Sequence, residues 1–321
     1  MKAAHSGGLI CHEPFELWKN HAHLVDSLRG VLGKIPPFDL VVVAMTGELC
    51  DCFETKREGV NFILDAVEAA ANSVPIQVWQ TDGTFTNTAT AKQRPLLTAA
   101  ANWLALGTFA GRFVPEGSAL VIDIGSTTTD IIPLLNGKPV PQGRTDPERL
   151  QTQELLYLGV RRTPVCALLG TEGAAEFFAT THDVYLVLGS LAEDPDDLRT
   201  ADGRPSTRQA ALARLARMLL SDRETCSESD LLQLARSLAD RQASRIRKNI
   251  SAVAGRLPQP VRTVVTAGSG EFLARAALVQ AATLAGVPLI SLADRLSPRV
   301  SKAACAYALA MLAQERSDVG Q

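Results

Sequence analysis

The segment Val121-Ile122-Asp123-Ile124-Gly125-Ser126-Thr127-Thr128-Thr129-Asp130-Ile131 sets a loop of glycine and hydroxyl residues between two apolar runs, with an aspartate at each edge. A hairpin bending at Gly125 turns successive backbone N–H groups inward and makes a nest for an anion. Ser126, Thr127 and Thr128 add hydroxyl donors. Asp123 and Asp130 are the oxygen ligands a hard cation such as Mg2+ takes, through water, while phosphate oxygens fill its other positions. Each charge-assisted hydrogen bond contributes roughly 1.5–3 kcal/mol, so several together hold a di- or triphosphate. A plain hairpin with Asx and Thr turn chemistry uses similar residues. The paired aspartates and the unbroken hydroxyl run favour the phosphate reading. A second glycine turn, Gly268-Ser269-Gly270, follows a later strand and is expected beside the bound group. The expected partner is a small phosphorylated molecule.

The elements that must hold this loop follow from periodicity. Ala119–Ile124 and Thr129–Leu135 read as strands, and Asn136-Gly137 is a hairpin turn returning into Lys138–Val140. Helical patterns cover Arg208–Leu220 and Ser229–Val253. Val261–Thr266 is a buried strand, Glu271–Leu284 a helix, Pro288–Leu292 a strand and Ser301–Gln314 a final amphipathic helix. The order is βββ-α-β-α-β-α.

The first half repeats that order from its second strand onward. Lys2–His5 and Leu9–Leu17 read as strands around Gly7-Gly8, and Asn20–Leu32 as a helix. Phe38–Met45 is a near-continuous apolar strand, Glu58–Ala71 a helix, Ile76–Trp79 a strand and Ala89–Phe113 a helix despite Pro95. The fold expected is α/β, with two tandem ribonuclease-H-like domains, the first lacking its opening strand. Residues 1–114 form the first domain, and 115–321 the second, with an insertion around 145–205. In this fold the opening strand is central, flanked by the second and fourth. Its loss would remove ladder hydrogen bonds and buried aliphatic groups worth about a domain's whole stability. An opening strand encoded upstream of Met1 is therefore expected.

The chain has 321 residues, 46% hydrophobic, with a net charge of −2. That balance gives no electrostatic reason to expect nucleic acid or an acidic membrane surface. Apolar runs are too short to span a bilayer, and MKAAHSGGLICHE is not a signal peptide. Six scattered cysteines suit a reduced, cytoplasmic enzyme, and the Cys50/Cys52 pair has too few companions for zinc. Homo-oligomer formation is left open.

These residues resemble a known family. Asp123–Asp130 is similar to the second phosphate motif of the sugar kinase, Hsc70 and actin superfamily, in its hydantoinase-A/oxoprolinase-like branch. Met45–Val60 (MTGELCDCFETKREGV), Ala100–Trp103, Gly143–Leu150, Gly159–Val165, Glu176–Gly189, Thr200–Pro205 and Thr266–Ala274 extend the resemblance nearly end to end. They narrow it to the tetrahydromethanopterin-linked one-carbon transfer pathway proteins, which include a synthase joining an aminomethylfuran diphosphate to a glutamylated tyramine. That family opens with a strand of the type D-I-G-G-A-N-L-K-A-A, whereas this chain starts Met1-Lys2-Ala3-Ala4. Gln153–Gly159 (QELLYLG) also departs from the family's G-E-L-V-Y-T-G.

The resemblance implies attack of a phenol oxygen on a furfuryl carbon, with diphosphate leaving. Such a site needs donors and Mg2+ on the diphosphate, a base, and exclusion of water. Glu48 and Asp51, on the loop after the Phe38–Met45 strand, are candidates for base or metal contact, and Lys56 for neutralising the leaving group. Thr55-Lys56-Arg57-Glu58 also reads as a capping box, which alone explains Thr55 and Glu58. Arg161 and Arg162 are candidates for the glutamyl carboxylates. Glu154, in the divergent segment, is a candidate substrate contact, and Asp82 ends the Ile76–Trp79 strand as a substrate contact or a turn. Asn102-Trp103 is expected to be mainly core. Two other functions are compatible with the pattern: an ATP-dependent oxoprolinase-like hydrolase or kinase, and a non-catalytic phosphate-binding scaffold.

Overall fold

The structure, a computed structural model, describes residues 1–319. Its centre is a six-stranded sheet: β6 (Ser118–Ile124), β7 (Thr129–Leu135), β8 (Lys138–Pro139), β9 (Leu155–Leu156), β10 (Val261–Ala267) and β11 (Leu289–Ser291). The order is β11-β10-β6-β7-β8, with β9 also paired to β7. β6 runs parallel to β10 and antiparallel to β7, in a register that sets Asp123 opposite Asp130. The opening strand of this half, β6, is thus central, flanked by β7 and β10, as expected of a ribonuclease-H-like sheet.

The apolar runs of β6 and β7 exist because both faces of the sheet are covered. On one side Leu120, Ile122 and Ile124 meet the Glu228–Ala254 helix through Leu238, Ile246 and Ile250. On the other, Val121, Ile132 and Leu134 meet Leu106 of the Asn102–Ala110 helix and Leu309 and Leu312 of the Ala304–Val319 helix. Each such side chain contributes about 1.5–3 kcal/mol by leaving water. Among the described residues no helix is long and apolar enough to cross a membrane.

The first half holds β1 (Lys2–Ala4) and β2 (Ile10–His12) as an antiparallel pair. β3 (Val41–Val43) is parallel to β4 (Ile76–Trp79), and β4 is antiparallel to β5 (Phe85–Thr86). These form separate sheets of two and three strands. The Lys56–Ala71 helix starts as its sequence indicates: the Thr55 hydroxyl accepts the Glu58 N–H at 3.1 Å. The return bond differs, because the Glu58 carboxylate takes the N–H of Glu54 at 2.8 Å and not that of Thr55.

Several expected elements are shorter. The strand expected over Leu9–Leu17 is only Ile10–His12, and that over Phe38–Met45 only Val41–Val43. The helix expected over Ala89–Phe113 is divided into Thr88–Gln93, Pro95–Thr98, Asn102–Ala110 and a 3-10 turn, Gly111–Phe113. Pro95 forbids continuation because it has no N–H and pushes Arg94 out of the helical region (φ −118°, ψ 59°). Ala100, left-handed at φ 47°, makes the second break. β5 was not foreseen at all.

Inside the stretch expected as an insertion, the short Asp146–Gln151 helix is opened by a Thr145/Glu148 capping box with Pro147 in its first turn. It carries Arg149, whose side chain is 1% exposed. Arg149 Nη1 donates to Asp130 Oδ1 at 2.8 Å, Nη2 donates to the Glu154 carbonyl at 3.1 Å, and the guanidinium lies 3.9 Å over the Trp103 ring. Removing one partner of a buried pair costs more than removing both, since it strands the other charge. Arg149→Met is expected to lose about 3–5 kcal/mol in urea unfolding, and adding Asp130→Asn to recover part of that loss. Equal stability of the single variant and the unmodified protein would show that the pair is not structural.

Candidate active site

Between the halves lies a cavity of about 2330 Å³, walled by the Gly125–Thr128 hairpin, Asp123 and Asp130 from the second half and by Glu48 from the first. Asp146, Tyr157, Arg161, Arg162 and Arg199 border it as well.

The hairpin departs from a simple nest at one point. The Gly125 N–H closes the loop onto the Thr128 carbonyl at 2.9 Å, so Gly125 is a turn former and not a donor to a ligand. The N–H groups of Ser126, Thr127 and Thr128 have no acceptor among the described residues. With their three hydroxyls they make a donor-rich rim. The Ser126 carbonyl accepts from the N–H groups of Arg161 and Arg162 at 3.0 and 2.8 Å, which ties the arginine loop to the hairpin.

Asp123 has its affinity for a proton raised to about 7, first by burial and then by the Asp130 charge, with Lys2 pulling the other way. The Cys305 thiol donates to Asp123 Oδ2 at 3.7 Å. Burial and the two aspartates push that thiol well above its ordinary range, so it stays a protonated donor. Sequence reading assigned Cys305 nothing, because its only signal is a contact across 182 positions. A divalent cation beside Asp123 would relieve the strain of an unneutralised carboxylate in a buried setting. The protein's own ligand set is incomplete, however. Asp130 already gives one oxygen to Arg149, and among the described residues no group of three or more His, Cys, Asp and Glu converges on one point. The pair fits Mg2+ only if phosphate oxygens and water supply the rest.

Glu48 is 2% exposed, and its Oε2 finds no hydrogen-bond partner among the described residues. Burial raises its pKa to about 7, opposed by the N–H of Glu48 itself, by Lys56, and by the N–H of Ala100. The loop is pressed onto the Lys56–Ala71 helix at Gly59, where a Cβ would lie 2.2 Å from the Glu48 carbonyl oxygen. Tyr157 titrates above its usual range, through burial and then the charges of Asp146, Glu48 and Asp130, so these acids share one wall.

Other expected residues are placed elsewhere. Asp51 is exposed and outside the cavity wall. Lys56 is half-buried, 3.9 Å from Asp146, and acts on Glu48 only through its charge. Asp82 makes an Asx turn, accepting the N–H and hydroxyl of Thr84 at 3.0 and 2.6 Å. Glu154 is buried and clamps the N–H groups of Gln142 and Gly143 at 2.8 and 3.1 Å. Gly268, Ser269 and Gly270 lie behind Asp123 and do not border the cavity. The Gly268 N–H donates to Ser301 Oγ at 3.2 Å and the Gly270 N–H to the Ile124 carbonyl at 2.9 Å. At Gly268, φ is +89° and a Cβ would sit 2.4 Å from Asp123 Oδ1, so glycine is needed for the carboxylate to fit. Glu271, not singled out from sequence, gathers Thr266, Ser291, Ser301 and the Ala293 N–H onto one carboxylate and fixes this turn. Arg161 is bound to Asp197, whereas the exposed Arg162 side chain has no acidic partner among the described residues.

The sheet order and this cleft define an α/β protein of ribonuclease-H-like construction with an acidic, hydroxyl-rimmed site. The chain belongs to the hydantoinase/oxoprolinase family, whose model matches residues 39–316. It is 35% identical over 317 residues, 96% of this chain and 92% of the relative, to the (4-{4-[2-(gamma-L-glutamylamino)ethyl]phenoxymethyl}furan-2-yl)methanamine synthase of Methanocaldococcus jannaschii. A synthase of the same name from Methanococcus vannielii is 31% identical over 205 residues, 61% of this chain and 91% of that one. Among solved structures, a nucleotide-free acetone carboxylase gives a TM-score of 0.48 at 12% identity, covering 89% of this chain and 49% of that chain. At that score the likeness has no bearing on the site.

Glu48 gives the site a stability signature. Its carboxyl stays protonated in the folded protein up to a pH of about 7, whereas the unfolded chain ionises near the ordinary value of about 4.3. Folding is therefore favoured by this group below pH ~4.3, and that share is lost as pH rises towards ~7. Glu48→Gln is expected to flatten the fall in urea-unfolding stability across this window by roughly 2–3 kcal/mol. Parallel pH profiles for the two proteins would rule this out.

Proposed function

We propose that this protein is a transferase that forms an aryl furfuryl ether, joining an aminomethylfuran diphosphate to the phenol oxygen of a glutamylated tyramine. The observation that carries the reading is the identity of 35% across 96% of the chain to a synthase named for a product that contains that ether. The site's chemistry supports it. The N–H groups of Ser126, Thr127 and Thr128, which have no acceptor among the described residues, suit the diphosphate of a leaving group, as do their hydroxyls, of which those of Ser126 and Thr127 pair with each other at 3.4 Å. Asp123 and Asp130 would hold Mg2+, which when bound supplies positive charge for the departing oxygens.

In the reaction the furfuryl C–O bond breaks and its electron pair leaves with diphosphate. The phenol oxygen forms the new C–O bond, and its proton passes to a base. Glu48 suits that task better than Asp51, because it borders the cavity and its pKa of about 7 matches a base working near neutrality. Arg162, with no acidic partner among the described residues, suits an anionic end of either substrate, whereas Arg161 is held by Asp197.

The test is turnover by the pure protein given the aminomethylfuran diphosphate, glutamyl-tyramine and Mg2+, with and without ATP. One diphosphate should appear per ether formed, with no dependence on ATP. Glu48→Gln is expected to lower kcat by about 10²–10⁴-fold with a smaller change in KM. Product that forms only with ATP hydrolysis would transfer the protein to the ATP-dependent hydrolase or kinase class. Binding of the diphosphate without turnover would leave a scaffold.

A further inference from the structure

The hydroxyl hairpin offers a diphosphate only neutral donors. A terminal phosphoryl group carries about 1.5–2 negative charges near neutrality, so a site for one also calls for cations. The cavity has them in a loop that lies directly on the hairpin. The N–H of Val160 donates to the Gly125 carbonyl at 3.0 Å, and those of Arg161 and Arg162 donate to the Ser126 carbonyl at 3.0 and 2.8 Å. Two hairpin carbonyls are thereby taken up by protein donors. Gly159 packs so close to the Ser126–Thr127 peptide that a Cβ would lie 2.5 Å from the Ser126 oxygen. The loop is fixed on its other side as well. The Gly159 N–H donates to Thr163 Oγ1 at 2.9 Å, and its carbonyl accepts from Thr181 Oγ1 and Gln242 Nε2 at 2.8 and 3.0 Å.

A second segment brings another arginine to the same place. Asp194 and Ser206 pair across an antiparallel bridge, and His182 Nε2 and Ser206 Oγ share a buried hydrogen bond, so the loop between them is closed. Arg199, within it, borders the cavity beside Arg161 and Arg162. Asp197, with its side chain 4% exposed, joins the two segments. One of its oxygens accepts the N–H and Nε of Arg199 at 3.1 and 2.9 Å, and the other accepts Arg161 Nη2. Burial works to raise the proton affinity of Asp197, yet the bonds from Arg199 and Arg161 outweigh it and hold the carboxyl well below the usual carboxylate range. One fixed negative charge is shared by two guanidiniums, and Arg162 adds a third cation, which leaves positive charge in excess. Both terminal nitrogens of Arg199, and Nε and Nη1 of Arg161, have no acceptor among the described residues. Two histidines feel the resulting potential. His182 loses proton affinity, to about 4, first by burial and then through Arg161 and Arg199 among its neighbours. His12 is lowered first by burial and then by Lys2, with Arg199 and Arg161 adding to it.

We propose that Arg161, Arg162 and Arg199 form the second wall of a diphosphate site whose first wall is the Ser126–Thr128 hairpin. The inference rests on the diphosphate substrate of the proposed reaction, and gives these arginines to its leaving group and not to the carboxylates of the glutamyl end. The reason is position: the arginine loop is hydrogen-bonded to the hairpin itself, so an anion on the hairpin donors lies beside the guanidiniums. Planar guanidinium forks match phosphate oxygens two at a time. When the furfuryl C–O bond breaks, its electron pair adds negative charge to the departing oxygen. Cations already fixed in place stabilise that charge with no proton transfer. Arg199 carries no signal in the sequence, since Asp197, which ties its loop to Arg161, is 36 positions away from that arginine.

The experiment titrates inorganic pyrophosphate with Mg2+ into the unmodified protein, Arg199→Gln and Arg162→Gln, with binding read by calorimetry. Glutamyl-tyramine is titrated separately into the same three proteins. Both arginine side chains are exposed, and Arg161 keeps Asp197 paired in the first variant, so urea unfolding should find both variants folded. Each substitution is expected to weaken pyrophosphate binding by about 10–100-fold and to leave glutamyl-tyramine binding unchanged. Unchanged pyrophosphate affinity in either variant, or a loss of glutamyl-tyramine affinity in its place, overturns the arginine wall and leaves the proposed reaction standing. An unmodified protein that does not bind pyrophosphate overturns it as well. Weakened pyrophosphate binding in a protein that makes no ether upholds the wall while the transferase reading falls.

Discussion

One buried cation organises the site. Arg149 cannot be left without partners in a low-dielectric interior, so the chain around it must bring acceptors to it. Asp130 comes from β7, the Glu154 carbonyl from the start of β9, and the Trp103 face from a helix of the first half. The short helix bearing Arg149 also carries Asp146, which stands 3.9 Å from Lys56 of the first half. A single guanidinium thereby sets the distance between the hairpin, the loop that follows it and the opposite wall. It also takes one of the two carboxylates that a cation would use.

That arrangement explains the uneven titration of the acids. Asp123 faces Asp130 across the strand pair and is not given an arginine of its own. Glu48 is buried against helix backbone with one oxygen unpartnered. Both end near neutrality, where a carboxyl can exchange a proton with a substrate and a cation can replace that proton. Acids lying in different environments within one cavity are separated in role by those environments. Cys305 and Glu271 support this, one by donating to Asp123 from the cavity wall, the other by fixing the turn whose Gly268 makes room for it.

Much of the second half was legible. Thr129–Leu135 is a strand within the limits its sequence indicates, and the Glu228–Ala254 helix within a residue at each end, because both have long, regular patterns and clear caps. The first half was harder. Short strands and helices interrupted at Pro95 and Ala100 present too few periods to define their ends. Among site residues, the hydroxyl run and Glu48 could be found because the cleft is built from loops at strand ends. Asp51, Asp82 and Glu154 have the same chemistry in similar loops, yet they face solvent, a turn and a buried clamp.

Residue type and spacing determined the hairpin and the order of strands and helices in the second half, since these depend on neighbours along the chain. Which carboxylate meets the cavity depends on contacts between distant segments: Gly59 against Glu48, Gly268 against Asp123, Arg149 against Asp130. Burial and partner choice set charge, and both are properties of the packed molecule. The sequence therefore names the chemistry available, and the tertiary structure decides which group is left without a partner and free to perform it.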